Sequence, residues 1–463
     1  MRPLGIVLAF LAVLTSLPLA CIPFEDARAS YCKTADATRK QTVCEERPSD
    51  GDAFSPRALD SGEAGAVSSP QLAINASGQA VAVWTRANAN RDDLWASNYT
   101  PGLGWSSARL IERNDTGSVQ EPSVSMDEAG NAHVVWAQHD GRVFNIWTTR
   151  YVSGAGWVSP WLLEEINTAD ARSPRVSVNS SGSAIAIWRQ SDGTRFNVWS
   201  RQYAPQVGWR GAILVETQDG EASEPQVVLG ERGNAVAVWL QVRSNQTDVL
   251  ASTLAASDAA WANAEPVEFE SQGNADSPQV AMDGGGNALV VWRQAEGALH
   301  HVWANRYVPG TGWGSSQRLD GLTGDAARPS LSVHSGGEGL VLWSSTEGGL
   351  ARVEANRYVP GTGWGSATRV SVQDAPPATF PSVSIDPSGN ALAVWRQEHE
   401  GRQAVASSRY LRLGGWRSPE RLEGLPAGSA GPPALGMDAS GVAFLVWRHL
   451  NGNTSSIWSS RRE

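Results

Sequence analysis

ANRYVPGTGWGS stands at residues 304–315 and again, letter for letter, at 355–366. Twelve identical residues 51 positions apart are the local trace of a longer repeat. Proline recurs at Pro70, Pro122, Pro174, Pro225, Pro278, Pro329, Pro381 and Pro433. A tryptophan follows each at nearly constant offset: Trp84, Trp136, Trp188, Trp239, Trp292, Trp343, Trp395 and Trp447. The spacing is 51 to 53 residues throughout, so residues 51–463 hold eight units starting near those prolines.

Each unit predicts four short strands bounded by Gly, Asn and Pro. The first is PSVSMD (122–127), followed by a turn such as DEAGN and a second strand such as AHVVW. After a variable loop comes the third, FNIWTTRY (144–151) or HVWANRY (301–307). The VPGTG turn then leads to the fourth, WGSSQRL (313–319). The quoted phrase is the end of a third strand, its turn and the start of the fourth. AVAVW is apolar on both faces, and small Ala beside larger Val lets neighbouring sheets nest. Repeats of about fifty residues with doubly buried strands predict an all-β protein, an eight-bladed β-propeller of four-stranded antiparallel blades. The eighth unit stops after its third strand, while SPRALDSGEAGAVSSP (55–70) resembles SPERLEGLPAGSAGPP (418–433). Residues 53–60 are therefore expected to complete the last blade and close the ring.

The D-x-S-G-N hairpin before the second strand resembles those of NHL-type and related bacterial propeller repeats, over one hairpin per blade. At the N-terminus, the apolar run from Leu4 to Ala20 behind Arg2 has the form of an export signal, residues 1–20. LPLAC (17–21) resembles a bacterial lipobox, departing from it where Pro18 replaces the usual Leu. The resemblance implies acylation of Cys21, and Ile22 behind it resembles lipoproteins sent to the outer membrane. Cys32 and Cys44, the only other cysteines, then remain as an even pair for one disulfide in a tether spanning 21–50. The alternative is an ordinary signal cut after Ala20, giving a secreted or periplasmic protein.

The formal net charge of -10 argues against a nucleic-acid partner. The propeller region has neither Cys nor Lys, which removes thiolate and Schiff-base mechanisms. No phosphate loop, metal-ligand spacing or cofactor motif is present, so neither metal nor cofactor is expected. The turn residues Asn75, Asp127, Asn179, Asp283, Asp386 and Asp438 each precede a Gly by three positions and predict Asx turns. Their pattern differs from the S-x-D-x-G-x-T-W of sialidase Asp-boxes. The eight tryptophans after the prolines predict core, and Trp105, Trp157, Trp209, Trp261, Trp313, Trp364 and Trp416 predict staples of the outer strand.

A middle set behaves differently. Trp95, Trp147, Trp199, Trp303 and Trp458 give way to Leu250, Glu354 and Ala406 in the other units. These five, with Arg150, Arg306, Arg357 and Arg409 nearby, are candidate sugar platforms; packing with snorkelling arginines is the structural alternative. The loops after the second strands and between blades vary most and share one face, where ligand sites are expected. His139, Asp140, Arg195 and His399 are its candidates. Six of seven tyrosines follow the repeat, so a tyrosine nucleophile is not indicated. The expectation is a non-enzymatic, extracytoplasmic, lipid-anchored binding or scaffold module for an envelope protein. The alternative is lectin-like glycan binding through repeated Trp/Arg sites. A sialidase-like glycoside hydrolase ranks third, to be revived by two carboxylates facing one pocket. Nothing in the sequence indicates an oligomeric state.

Overall fold

The computed structural model describes residues 56–462, apart from 61–64, 114–116, 217, 259, 269–272, 322–323, 373–374 and 423–426. Cys21, Cys32 and Cys44, with the signal and tether, lie outside the described residues. The described chain forms eight antiparallel sheets in chain order, an all-β propeller. Blade 2 is typical. Its inner strand is Val119–Met126, its second Ala132–His139 and its third Phe144–Val152, and the outer strand comes in two pieces, Gly156–Trp157 and Trp161–Leu162. The ring closes by strand pairing: Arg57–Ala58 pairs with the last third strand, Thr454–Arg462, in the register Arg57↔Ser459.

The second strands carry the core. Val81, Val83 and Leu94 of blade 1 pack against Ala132, Val134 and Trp136 of blade 2, and the pattern recurs around the ring. All eight repeat tryptophans are 0–1% exposed. In five blades the indole Nε1 donates to a glutamine two residues on, as in Trp136–Gln138 at 3.0 Å and Trp239–Gln241 at 2.7 Å. That glutamine donates in turn to the loop entering its blade, as Gln241 Nε2 does to the Gly220 carbonyl at 2.8 Å. The W-x-Q motif thus joins a buried indole to the inter-blade connection and keeps its N–H satisfied.

Two details depart from the expected strands. The inner strand starts upstream of its proline: Val119–Met126 replaces the expected 122–127. It is an edge strand, so a residue lacking an N–H is tolerated within it. The outer strand is broken after its Trp, and a side chain bridges the break. Ser97, Thr149, Ser252, Asn305, Asn356 and Ser408 each donate to an outer-strand carbonyl, at 2.6–3.1 Å. The outer tryptophans pack at a steep angle against the repeat tyrosines, as in Tyr151–Trp157, with centroids 5.4 Å apart. The Asx turns form as expected: Asp127 Oδ1 accepts from the Asn131 amide at 2.7 Å.

An acid ends the outer strand of six blades, at positions 60, 112, 164, 216, 268 and 320, and Ser371 takes the place in blade 6. Glu164 Oε2 accepts from the Ile146 amide and Glu268 Oε1 from the Val249 amide, both at 2.6 Å. The carboxyl takes over the ladder where the outer backbone leaves it. Burial pushes Glu164 up to about 8 and Glu268 up to about 7. At the closing seam the chemistry changes. Arg86 replaces the glutamine and meets Asp60 at 3.1 Å, both side chains almost fully buried.

Candidate functional site

The inner strands surround an axial channel with a cavity of about 1090 Å³. What points into it is set by a bulge. In blade 1 the register passes from Ser68↔Thr85 to Gln71↔Val83, so Ser69 and Pro70 together oppose Trp84. The same two-against-one arrangement sets Glu121–Pro122 against Trp136, and it recurs before Pro174, Pro225, Pro278 and Pro381. The residue before each of these prolines has a positive φ: Ser69, Glu121, Ser173, Glu224, Ser277 and Phe380, at 47–54°. Non-glycine residues rarely adopt this region, at a cost on the order of 1–3 kcal/mol each. In blades 6 and 8 the inner strand is split instead, into Asp325–Ala326 and Ser330–Val333, and into Ser429–Ala430 and Ala434–Met437.

The pre-proline position is therefore a ring of eight side chains around one axis, and it does not repeat. It runs Ser69, Glu121, Ser173, Glu224, Ser277, Arg328, Phe380, Pro432. The residue after the proline is Gln, Ser or Ala in seven blades and Arg175 in blade 3. Burial pushes the Arg175 guanidinium down, while the nearby Glu121 and Glu224 carboxylates oppose the shift. Its Nη1 donates to the Pro174 carbonyl at 2.9 Å. Glu121 reaches the next blade, accepting from the Ser173 amide at 2.7 Å and hydroxyl at 3.2 Å. Glu224 accepts from the Ser277 amide at 3.2 Å. Phe380 is half exposed beside them, with the Arg396 guanidinium 4.6 Å from its ring centre. Two carboxylates, three arginines (Arg175, Arg189 and Arg328) and an open aromatic ring share the cavity with serine hydroxyls and glutamine amides. Among the described residues no group of three or more His, Asp or Glu converges as metal ligands.

Sequence reasoning missed this ring, although its signal lay beside every proline already marked. The residues singled out from sequence lie elsewhere. Trp95, Trp147, Trp199, Trp303 and Trp458 are half-buried on third strands, each directly across from a core tryptophan, as in Trp136↔Trp147. Arg150 lies three residues after Trp147 and so on the other face of the blade. Its Nη1 donates to the Tyr203 hydroxyl of the next blade at 2.5 Å. Arg306 and Arg357 lie over Tyr358 and Tyr410 in the same way, 5.7 and 5.6 Å from the ring centres, and Arg409 occupies the matching position of blade 7. The tryptophans and arginines of one blade are thus not brought together.

The loop candidates are also apart. Asp140 Oδ1 accepts from the Arg142 and Val143 amides of its own turn, at 2.8 and 3.0 Å, and His139 lies edge-on to Phe144. Arg195 in blade 3 pairs with Asp219 at 2.8 Å. His399 belongs to blade 7, 3.6 Å from Glu400.

No family model matches the chain. No curated protein matches it either. Among solved structures it is similar to a polysaccharide lyase of the ulvan lyase family PL25. Identity is 10%, the TM-score 0.51, and the match covers 74% of this chain and 93% of that one. It is also similar to the NanB sialidase of Streptococcus pneumoniae (10% identity, TM-score 0.40, 89% and 70% covered). A third is the α-L-arabinanase of Penicillium chrysogenum (13% identity, TM-score 0.39, 63% and 92% covered). At such identities the likeness establishes the propeller fold alone. The expectation that the chain is not an enzyme does not stand, because the neighbour with a TM-score of 0.51 is a polysaccharide lyase and the fold is therefore one that serves an enzyme. That expectation rested on finding no break in the repeat's symmetry, and the channel contains one.

Proposed function

We propose that the protein acts on a polysaccharide at its axial channel, outside the cytoplasm. The observation that carries this reading is the loss of eightfold repetition at the channel wall, where Glu121, Glu224, Arg175 and Arg328 face one cavity. A repeat that spends strained backbone on unlike polar side chains points them at something that lacks its symmetry. Two carboxylates across one pocket fit acid–base work on a glycosidic bond, and arginines fit the hydroxyls or acid groups of the chain being held. A cavity of about 1090 Å³ has room for more than one sugar residue. The similarity to a polysaccharide lyase of TM-score 0.51 supports the same substrate class.

A scaffold role would call for one broad apolar patch. Among the described residues, the exposed apolar side chains of the variable face are Ile166, Val242, Leu350, Val372 and Leu450, and they are spread over blades 2, 4, 6 and 8.

The test incubates the full chain with neutral and acidic polysaccharides and follows both new reducing ends and unsaturated products. Turnover that falls at least about a hundredfold in Glu121→Gln or Glu224→Gln supports the reading. No turnover on any polysaccharide, or turnover indifferent to both variants and to Arg175→Ala, sinks it.

A further inference from the structure

The blade-5 rim breaks the repeat a second time, on the side facing blade 4. Outer-strand positions that are Ala or Pro in the other complete blades (Ala108, Pro160, Ala212, Ala264, Ala367, Pro419) hold Ser316 here. Position 318 is Arg where four blades have Leu or Pro. The register puts Trp292, Gln294 and Glu296 of the second strand on the same face as Trp303, Ser316 and Arg318. Between them and Glu268 of blade 4 lies a cavity of about 350 Å³, lined also by Gly297. The tight turn at Gly297 keeps Glu296 in the ladder opposite Leu299. In blades 2 and 3 the residues at that position, Asp140 and Asp192, fold back onto their own turns.

The charges of this wall are already matched. Arg318 meets Glu296 at 3.1 Å and Asp320 at 3.0 Å, and His301 Nδ1 lies 2.9 Å from Asp320. Two buried polar atoms facing this cavity have no partner within hydrogen-bond distance, as at Glu164 and Trp147: Glu268 Oε2, on a residue 6% exposed beside Gln294, and the Trp303 indole Nε1. Glu268 is pushed up to about 7 by burial, so near neutrality its carboxyl offers a donor as well as an acceptor. An indole N–H, a carboxyl and the Ser316 hydroxyl beside two tryptophan rings suit a ligand with hydroxyls and apolar ring faces, and no net charge.

We infer that the cavity between Glu268, Trp303 and Ser316 is a binding site for a single neutral sugar residue, separate from the axial channel. It rests on the glycan reading only for the choice of ligand class, since its geometry is independent of the channel. The site would hold a substrate branch or a neighbouring glycan at the rim, raising its effective concentration at the channel.

The experiment is calorimetric titration of the full chain with methyl α- and β-hexosides of the gluco, galacto and manno series. Methyl glucuronide serves as the charged control. At least one neutral glycoside should bind at millimolar concentration, and glucuronide more weakly. Ser316→Leu, which fills the cavity, should abolish binding. Glu268→Gln keeps an acceptor for the Val249 amide and should weaken binding about tenfold. Arg175→Ala, in the channel, should leave it unchanged. Should Ser316→Leu fail to fold, Glu268→Gln against Arg175→Ala still decides. Absence of neutral-glycoside binding, or binding insensitive to the rim variants, overturns the site. Binding lost in Arg175→Ala alone assigns the sugar to the channel and overturns it too. Polysaccharide turnover in the rim variants is read separately, so this proposal and the channel reading can fail independently.

Discussion

The tryptophan ring and the pre-proline ring sit across one strand pair from each other, and they obey opposite rules. Trp84 and its seven counterparts are identical and sealed between blades. The pre-proline residues, from Ser69 round to Pro432, are Ser, Glu, Arg, Phe and Pro. A position closed between neighbouring sheets must fill the same volume eight times, because packing at interior density penalises both cavities and excess. A position opening on an axis meets no neighbour that dictates its shape. Uniformity marks the first ring as scaffold, and variety marks the second as the place where the chain can specialise.

The comparison breaks hardest at the core. Trp239→Ala should destabilise the fold by about 3–5 kcal/mol in denaturant unfolding, whereas Glu224→Gln should cost less than about 1 kcal/mol and act on turnover. A small effect at Trp239 would remove the distinction. The closing seam comes next. Asp60→Ala removes the buried carboxylate that meets the Arg86 guanidinium and should cost about 3–5 kcal/mol, while the pair Asp60→Glu with Arg86→Gln restores the chemistry of other seams and should recover most of it.

A third, smaller effect appears with pH. Glu164 is raised to about 8 when folded, against an ordinary value of 4.5. Between those values the folded state binds the extra proton, so its stability falls as pH rises. Glu268, raised to about 7, adds the same sign over a narrower window. Unfolding free energy should therefore drop by a few kcal/mol from pH 5 to 8, and Glu164→Gln should flatten the slope. An unchanged slope would mean that Glu164 ionises freely in the fold. The smallest effect is expected at the variable loops, where His399→Ala should change stability by less than about 0.5 kcal/mol.

The sequence shows its repeat because burial imposes a rule: Pro and then Trp at each blade, with W-x-Q in five blades and an acid after the outer strand in most. The third-strand tryptophans drew attention because their variation was visible, and parity along a strand separates them from the arginines they were grouped with. Trp147 and Arg150, three apart, point to opposite faces. The channel residues escaped notice because the proline was taken as the start of the first strand. That strand begins three residues earlier and bulges at the proline, which turns Glu121 and Glu224 toward the axis.

By itself the sequence determined the repeat, the number of blades, the buried tryptophans and the joining of the two chain ends. Each follows from local pattern and period. Only the tertiary structure decided which unlike residues meet. Glu121, Arg175, Glu224 and Arg328 lie in four different blades, and the chain gives no hint of their company until the ring closes. Nor does it show that Glu268 and Trp303 line one cavity, since that cavity exists only where two blades face each other.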